Sequence, residues 1–485
     1  MAGSQEKGLR VHLVSLGCAK NLVDSERLLG EALRVLGGTP VSDPGEADLV
    51  MLNTCAFVRE AAEEAVAALF DLKSRLRPGA RLAVLGCLPA LHGGGALADA
   101  LPEADLVLPS GGYGAFPERL RELFGGGEDG AALPAGGPPP PPPAGTPGPP
   151  AAPPFESWGR ALAGTPRFRA FLKIAEGCGR RCTYCLIPSI RGPQAPAPLE
   201  ALAREAGALA AAGCLELTLV AQDLTAWRDG PLDLGDLCRE LAGVAGIRWL
   251  RLMYLHPEAL TARLLESLRD NPKVIPYLDI PFQHASPRIL RAMGRGRSRP
   301  LETVRLARRI WPEAALRSTL MTGFPGEGEE EYGALRAFLE EARLDHAGFF
   351  KFSPEEGTPA AAMPGRPSRR DADRRARGLA ALQRRISRDR NRARVGTEIE
   401  VLVEGPSEDA PEVFCGRGTF QAPDVDGLVY FDGERPEAGT IVRAQVLKAG
   451  DYDLTARALP VPAGTAGGGR ARRPAAAGAA APGGR

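Results

Sequence analysis

The chain lacks any apolar run approaching the roughly 20 residues that cross a bilayer, so no membrane-spanning helix is expected. It also lacks a surplus of charge. Lys and Arg number 60 against 59 Asp and Glu, and a formal net charge of +1 gives no bulk attraction to nucleic acid or a membrane surface. The opening stretch from Met1 to Arg10 holds no apolar segment of signal-peptide type. The expected compartment is therefore the cytoplasm, where thiols stay reduced. Histidine is scarce, five in 485 residues. Cysteine is not: nine are present, and in a reducing compartment grouped cysteines point to metal ligands or catalysis before disulfides.

Hydrophobic residues make up 44% of the chain, enough for sizeable cores in several domains. Residues 9–125 alternate strand and helix patterns. Strand candidates are Val11–Leu16, Asp48–Leu52, Arg81–Leu85 and Asp105–Leu108, with helices expected over Asp24–Leu36 and Arg59–Leu76. This alternation predicts an α/β fold, a doubly wound parallel sheet. Residues 126–160 are mostly Gly, Ala and Pro and predict a disordered linker. Residues 164–395 give a longer alternation, with strands expected at Phe171–Ile174, Leu217–Val220, Trp249–Leu252, Tyr277–Ile280, Ser318–Met321 and Gly348–Phe350. Six such units predict a partial β/α barrel of TIM-like type, and a basic helix is expected over 368–394. Residues 396–459 switch to short alternating strands and predict a small β-barrel, and 460–485 a disordered tail.

The sharpest motif runs from Glu176 to Cys185 and carries Cys178, Cys182 and Cys185. It follows the first barrel strand, at the end where barrel active sites sit. Three thiolates on one loop can hold three irons of a 4Fe–4S cluster and leave the fourth open to a small molecule. Zinc would favour a fourth Cys or His close by, and none is near. An electron-transfer ferredoxin would supply a fourth cysteine. A second triad, Cys18, Cys55 and Cys87, is scattered in sequence, yet each cysteine follows a predicted parallel strand. Such strands end on one sheet edge, where doubly wound folds place ligands. A second cluster with an open iron is the better reading, against three inert buried thiols.

The Cys-x3-Cys-x2-Cys loop resembles the radical S-adenosylmethionine superfamily. The resemblance implies that the open iron chelates S-adenosylmethionine and that Tyr184 lies near the adenine; a plain packing role for Tyr184 is the other reading. The segments Ser15–Glu26 and Asn53–Cys55, with the terminal β-barrel read as a TRAM module, resemble the methylthiotransferase family over residues 9–125 and 164–459. Val220–Asp223, Tyr277–Ser286, Gly323–Glu327 and Ser353–Pro359 resemble its branch that modifies an aspartate of small-subunit ribosomal protein twelve. The family implies two 4Fe–4S clusters. One S-adenosylmethionine supplies a radical, a second supplies a methyl group, and sulfur passes through the Cys18, Cys55 and Cys87 site. It also implies a one-electron donor such as flavodoxin or ferredoxin, and no catalytic side chain beyond the cluster ligands. The chain departs from the pattern after Arg191-Gly-Pro, where Gln194–Ala197 replaces basic residues.

Gln222, Gln283, His284 and Arg317 fall at the ends of predicted barrel strands, and Gly323 and Glu327 bound a turn after one. Contact with S-adenosylmethionine or substrate and ordinary hydrogen bonding at the barrel mouth are both open for them. His12, Cys214, Cys238 and Cys415 read as structural. Residues 393–459 carry six basic against thirteen acidic side chains, which favours a basic ribosomal protein over tRNA as substrate. The alternatives are a tRNA methylthiotransferase acting on modified adenosine and a non-catalytic iron–sulfur protein.

Overall fold

The computed structural model describes residues 8–125, 159–162 and 165–460. All but the end of the expected linker, and the expected tail beyond Pro460, lie outside the described residues.

Strands β1 (Arg10–Ser15), β2 (Thr39–Pro40), β3 (Leu49–Thr54), β4 (Arg81–Gly86) and β5 (Leu106–Pro109) form one parallel sheet in the order β2-β1-β3-β4-β5. This is the flavodoxin-like order, whose ligand crevice opens between β1 and β3. Strand β3 is buried along its whole length, as a strand covered on both faces must be. Leu49 and Met51 pack with Leu28 and Leu29 of helix α1 (Ala19–Leu36). Val50 and Leu52 pack on the other face with Leu69 and Leu72 of helix α2 (Arg59–Arg75). Helix α1 starts several residues before the sequence expectation. Gly17, at φ +90°, turns the chain, so the helix begins directly after Cys18.

The second sheet holds β6 (Arg169–Lys173), β9 (Glu216–Val220), β10 (Trp249–Leu252), β11 (Val274–Asp279), β12 (Ala315–Thr322) and β13 (His346–Lys351), all parallel, in the order β13-β12-β11-β10-β9-β6. A short antiparallel pair, β7 (Ala175–Glu176) and β8 (Ala195–Pro196), ties down the cysteine loop. All six expected barrel strands form. One face packs Leu217, Leu219, Leu250, Leu252 and Leu278 against the helices. The other presents Phe171, Trp249, Met253 and Tyr277 to Val401, Leu402, Phe420 and Val429 of the C-terminal barrel. That barrel closes through β14 (Glu398–Pro406), β15 (Phe414–Gly418), β16 (Val429–Phe431), β18 (Leu454–Ala458) and β17 (Ile441–Ala449).

Charge pins the C-terminal barrel in place. Glu216 is wholly buried and accepts from Arg251 Nε at 2.7 Å and Arg417 Nη2 at 2.6 Å. Asp424 faces Arg169 at 3.0 Å, Asp426 faces Arg317 at 3.5 Å, and Asp451 faces Arg388 at 2.5 Å. Part of the acidity counted in the sequence is therefore spent on docking to the core and to the basic helix Arg369–Arg392, not on a partner. Residues 159 and 160, the end of the expected linker, are ordered instead. Arg160 donates to Glu26 Oε2 at 2.6 Å and to Glu205 Oε1 at 3.1 Å, so the chain is held across α1 there. Gly30 makes the crossing possible, since a Cβ at that position would lie 1.9 Å from Gly159 O. No described helix is long and apolar enough to cross a membrane.

Candidate cluster and substrate site

The three scattered cysteines come to one edge of the flavodoxin-like sheet because each sits just past a strand. Cys18 ends the β1 loop and caps α1, Cys55 follows β3, and Cys87 opens helix α3 (Cys87–His92) directly after β4. Two glycines allow the close approach. A Cβ on Gly17 would lie 2.6 Å from Cys55 Cβ, and one on Gly86, at φ +103°, 2.3 Å from Asn53 Oδ1. All nine cysteines are free. Cys18 is an exposed residue whose thiol has protein atoms around it. Burial there opposes ionisation, but Lys20, Arg191 and the N–H groups of Asn21 and Lys20 outweigh it and lower the thiol's pKa. Burial pushes the Cys87 thiol up to about 11 even against Arg191, and raises Cys55 as well.

The second triad is shaped by backbone. At Gly177, φ +66°, a Cβ would lie 2.2 Å from Pro193 O, so only glycine fits, and Cys178 N–H donates to Gly192 O at 3.1 Å. Thr183 N–H donates to Met293 O at 3.1 Å, which clips the loop to the segment after β11. Burial raises Cys178 and pushes Cys185 up to about 12. Tyr184 meets Phe324 edge-on at 6.5 Å.

The two cysteine loops pack against each other. Ala56, next to Cys55, shares an apolar cluster with Cys87, Leu88, Leu186 and Ile190, the last two just after Cys185. Arg191, at the end of the helix Ile187–Arg191, is the polar link. Its Nε and Nη2 donate to Cys87 Sγ at 3.3 and 3.2 Å, its Nη1 to Asp24 at 2.6 Å and Glu176 at 3.2 Å, and its Nη2 to Asn21 Oδ1 at 3.0 Å. Lys173 joins the same carboxylates, bonding Asp24 and donating to Glu176 Oε2 at 2.7 Å. Lys20 reaches across the same seam, with Nζ 3.7 Å from the centroid of the Tyr254 ring. A cavity of about 660 Å³ runs along the seam, lined by Ala56, Val58, Arg59, Leu186, Glu355 and Glu356.

Among the described residues no three Cys, His, Asp or Glu side chains are placed to hold a single metal ion. A multi-iron cluster takes its thiolates at separate corners, and N–H donors onto sulfur, as Arg191 supplies to Cys87, suit a thiolate ligand. The donor chemistry fits a cluster at each triad.

The barrel-mouth candidates separate into groups. The side-chain oxygens of Gln222 and Gln283 are buried with no hydrogen-bond partner, and Gln283 is held at φ +69°, an uncommon conformation for a residue with a side chain. His284 and Glu327 are fully buried and face each other at 3.4 Å. Glu327 also accepts from Gly323 N–H at 3.0 Å and from Arg375 at 2.8 Å, so this set ties the end of β12 to the basic helix. Arg317 is engaged by Asp279 at 3.0 Å at the seam with the C-terminal barrel.

Three family models match: the radical SAM superfamily over residues 172–339, the uncharacterized protein family UPF0004 over 10–109 and the TRAM domain over 395–459. The chain is 41% identical to the ribosomal protein uS12 methylthiotransferase RimO of Geobacter sulfurreducens, covering 94% of this chain and 99% of that one. It is 42% identical to the protein so named from Desulforudis audaxviator, over 93% of this chain and 97% of that one. The chain belongs to the RimO methylthiotransferase family. Among solved structures, the radical S-adenosylmethionine methyltransferase TsrM of Kitasatospora setae, with cobalamin and a [4Fe-4S] cluster bound, aligns at TM-score 0.53. That alignment covers 73% of this chain and 77% of TsrM at 16% identity, so it speaks for the fold alone. For a RimO-family enzyme, both cysteine triads were legible as residues following strands. Lys20, Asp24, Lys173, Tyr254 and Arg191 were not, because each has a partner across the seam between the two sheets.

Proposed function

We propose that this methylthiotransferase replaces a hydrogen on an aspartate of ribosomal protein uS12 with a methylthio group, giving 3-methylthioaspartate, and that it works in the cytoplasm. The observation that carries the reading is the packing of two cysteine triads against one seam, in a chain whose relatives bear the uS12 name over nearly their full length. Residues 9–125, 164–395 and 396–459 act as cluster-binding domain, radical core and recognition module.

Cys178, Cys182 and Cys185 would hold one 4Fe–4S cluster, and Cys18, Cys55 and Cys87 a second. When bound, the first cluster and S-adenosylmethionine supply a radical able to take hydrogen from an unactivated carbon. The chain's own residues do the rest. Tyr184 and Phe324 back the loop where the adenine would lie. Gln222 and Gln283 aim unpaired buried oxygens that the donors of S-adenosylmethionine would satisfy, with Gly323 and the His284–Glu327 pair shaping the wall beside them. Arg191 neutralises and orients Cys87, and the Cys18, Cys55 and Cys87 site, with Cys18 exposed, is where sulfur would meet substrate. Methyl transfer draws on a second S-adenosylmethionine, and electrons come from a small carrier such as flavodoxin or ferredoxin.

The test is a strain lacking the protein. Mass spectrometry of its ribosomal protein uS12 and its tRNA should find the protein without the methylthio group and the tRNA unchanged, with restoration by the wild-type chain. Loss from tRNA with uS12 still modified would overturn the reading.

A further inference from the structure

Lys20 is a buried cation at this seam that no carboxylate of the described residues pairs with. It stands in the first turn of α1, two residues beyond Cys18, and is 8% exposed. Its neighbours Arg191 and Lys173 are satisfied by Asp24 and Glu176. Among the described residues no carboxylate pairs with Lys20. Its contact is Tyr254, with Nζ lying over the face of the ring. The first turn of α1 carries no acidic residue, so the positive end of an 18-residue helix adds to the ammonium instead of being neutralised. Tyr254 is itself held at φ +66°, its N–H donating to Asp279 Oδ2 at 3.0 Å, so the ring under the ammonium is fixed in place. A buried cation is expensive without an anionic partner. No carboxylate of the described residues fills that place, and Cys18, two residues away, is exposed.

We propose that Lys20 is a substrate-binding residue that takes the side-chain carboxylate of the target aspartate. This rests on the protein-substrate reading above and deepens it. In aspartate the carboxylate is bonded to the carbon that gains sulfur. An ammonium beside Cys18 therefore fixes that carbon next to the sulfur site while leaving its C–H bonds free. The same contact is a specificity device. An adenosine offers no carboxylate, and an asparagine offers only a neutral carbonyl acceptor, which loses the charge of the contact.

The experiment uses the reconstituted full chain, ribosomal protein uS12 and a uS12 variant in which the target aspartate is replaced by asparagine. Binding of each is measured for wild type, Lys20→Met and Lys20→Arg, together with iron content and 5′-deoxyadenosine formation in the absence of substrate. Wild type should bind the aspartate form on the order of ten- to a hundredfold more tightly, the range of a charge-assisted hydrogen bond. Lys20→Met should abolish that ratio at unchanged iron content and unchanged background cleavage of S-adenosylmethionine. Lys20→Arg, which keeps the charge, should retain part of it. An aspartate-to-asparagine ratio that survives in Lys20→Met overturns the inference. So does a loss of iron in Lys20→Met, which would assign the ammonium to the cysteine site. If wild type neither binds nor modifies uS12, it is the proposed function itself that fails, a result separable from the other two.

Discussion

Replacing Arg191 by Met removes the guanidinium that joins the two cysteine loops and leaves a side chain of similar length. Four groups lose a donor at once: Asp24, Glu176, Asn21 and Cys87 Sγ. Removing one partner of a buried ion pair costs roughly 3–5 kcal/mol, because the other charge stays buried. Lys173 remains to serve both carboxylates, which places the expected loss near the lower end, about 3 kcal/mol. For a unit of this size that corresponds to a fall of roughly 6–12 °C in the transition that includes the N-terminal sheet. Calorimetry reads that transition. Hydrogen exchange along α1 and the helix Ile187–Arg191 shows whether the loss is local to the seam. Arg191→Lys restores a charge but not the fork that reaches carboxylate and sulfur together, so it should recover only part of the loss. A Met variant within about 1 kcal/mol of wild type, with unchanged exchange at both helices, would refute the view that this residue joins the loops.

Other outcomes follow from the same geometry. Replacing Cys178, Cys182 and Cys185 with Ala should remove about half the bound iron and all reductive cleavage of S-adenosylmethionine, read by iron assay and 5′-deoxyadenosine yield. Replacing Cys18, Cys55 and Cys87 should leave that cleavage and abolish methylthiolated product. The Glu216 carboxyl is buried, which alone would raise its pKa, but Arg417 and Arg251 hold it at about 2 against an ordinary 4.5. Its folded pKa is depressed, so its contribution of about 3 kcal/mol is complete above the unfolded value and is lost as pH falls from about 4.5 toward 2. Acid titration of Glu216→Gln should show lower stability at neutral pH and a shallower fall across that window; parallel curves for variant and wild type would contradict it.

Strands were readable because a parallel sheet buried on both faces writes itself as short Val- and Leu-rich runs, as in Leu49–Thr54 and Glu216–Val220. Cys18, Cys55 and Cys87 were readable as a set because strand ends of one sheet share an edge. Pairings across the seam leave no such trace. Arg160 stands in a Gly, Ala and Pro context that reads as linker, yet it meets Glu26, 134 residues away. Arg191 and Lys20 belong to no periodic pattern; Lys20 meets Tyr254, and Arg191 meets Asn21, Asp24 and Cys87, across the seam. A charge count over 393–459 registered the acidity of the C-terminal barrel but not that Asp424, Asp426 and Asp451 are used by Arg169, Arg317 and Arg388. The acidic surface consequently weighs less in the choice of substrate than the count implied, and the choice leans on the relatives.

The most direct measurement of that choice offers the reconstituted enzyme ribosomal protein uS12 and tRNA together, with S-adenosylmethionine, a sulfur source and a one-electron reductant. Products are read by mass spectrometry of the intact protein and of digested nucleosides. The account predicts a methylthio group on one aspartate of uS12 and unmodified tRNA. Methylthiolated adenosine beside unmodified uS12 would contradict it.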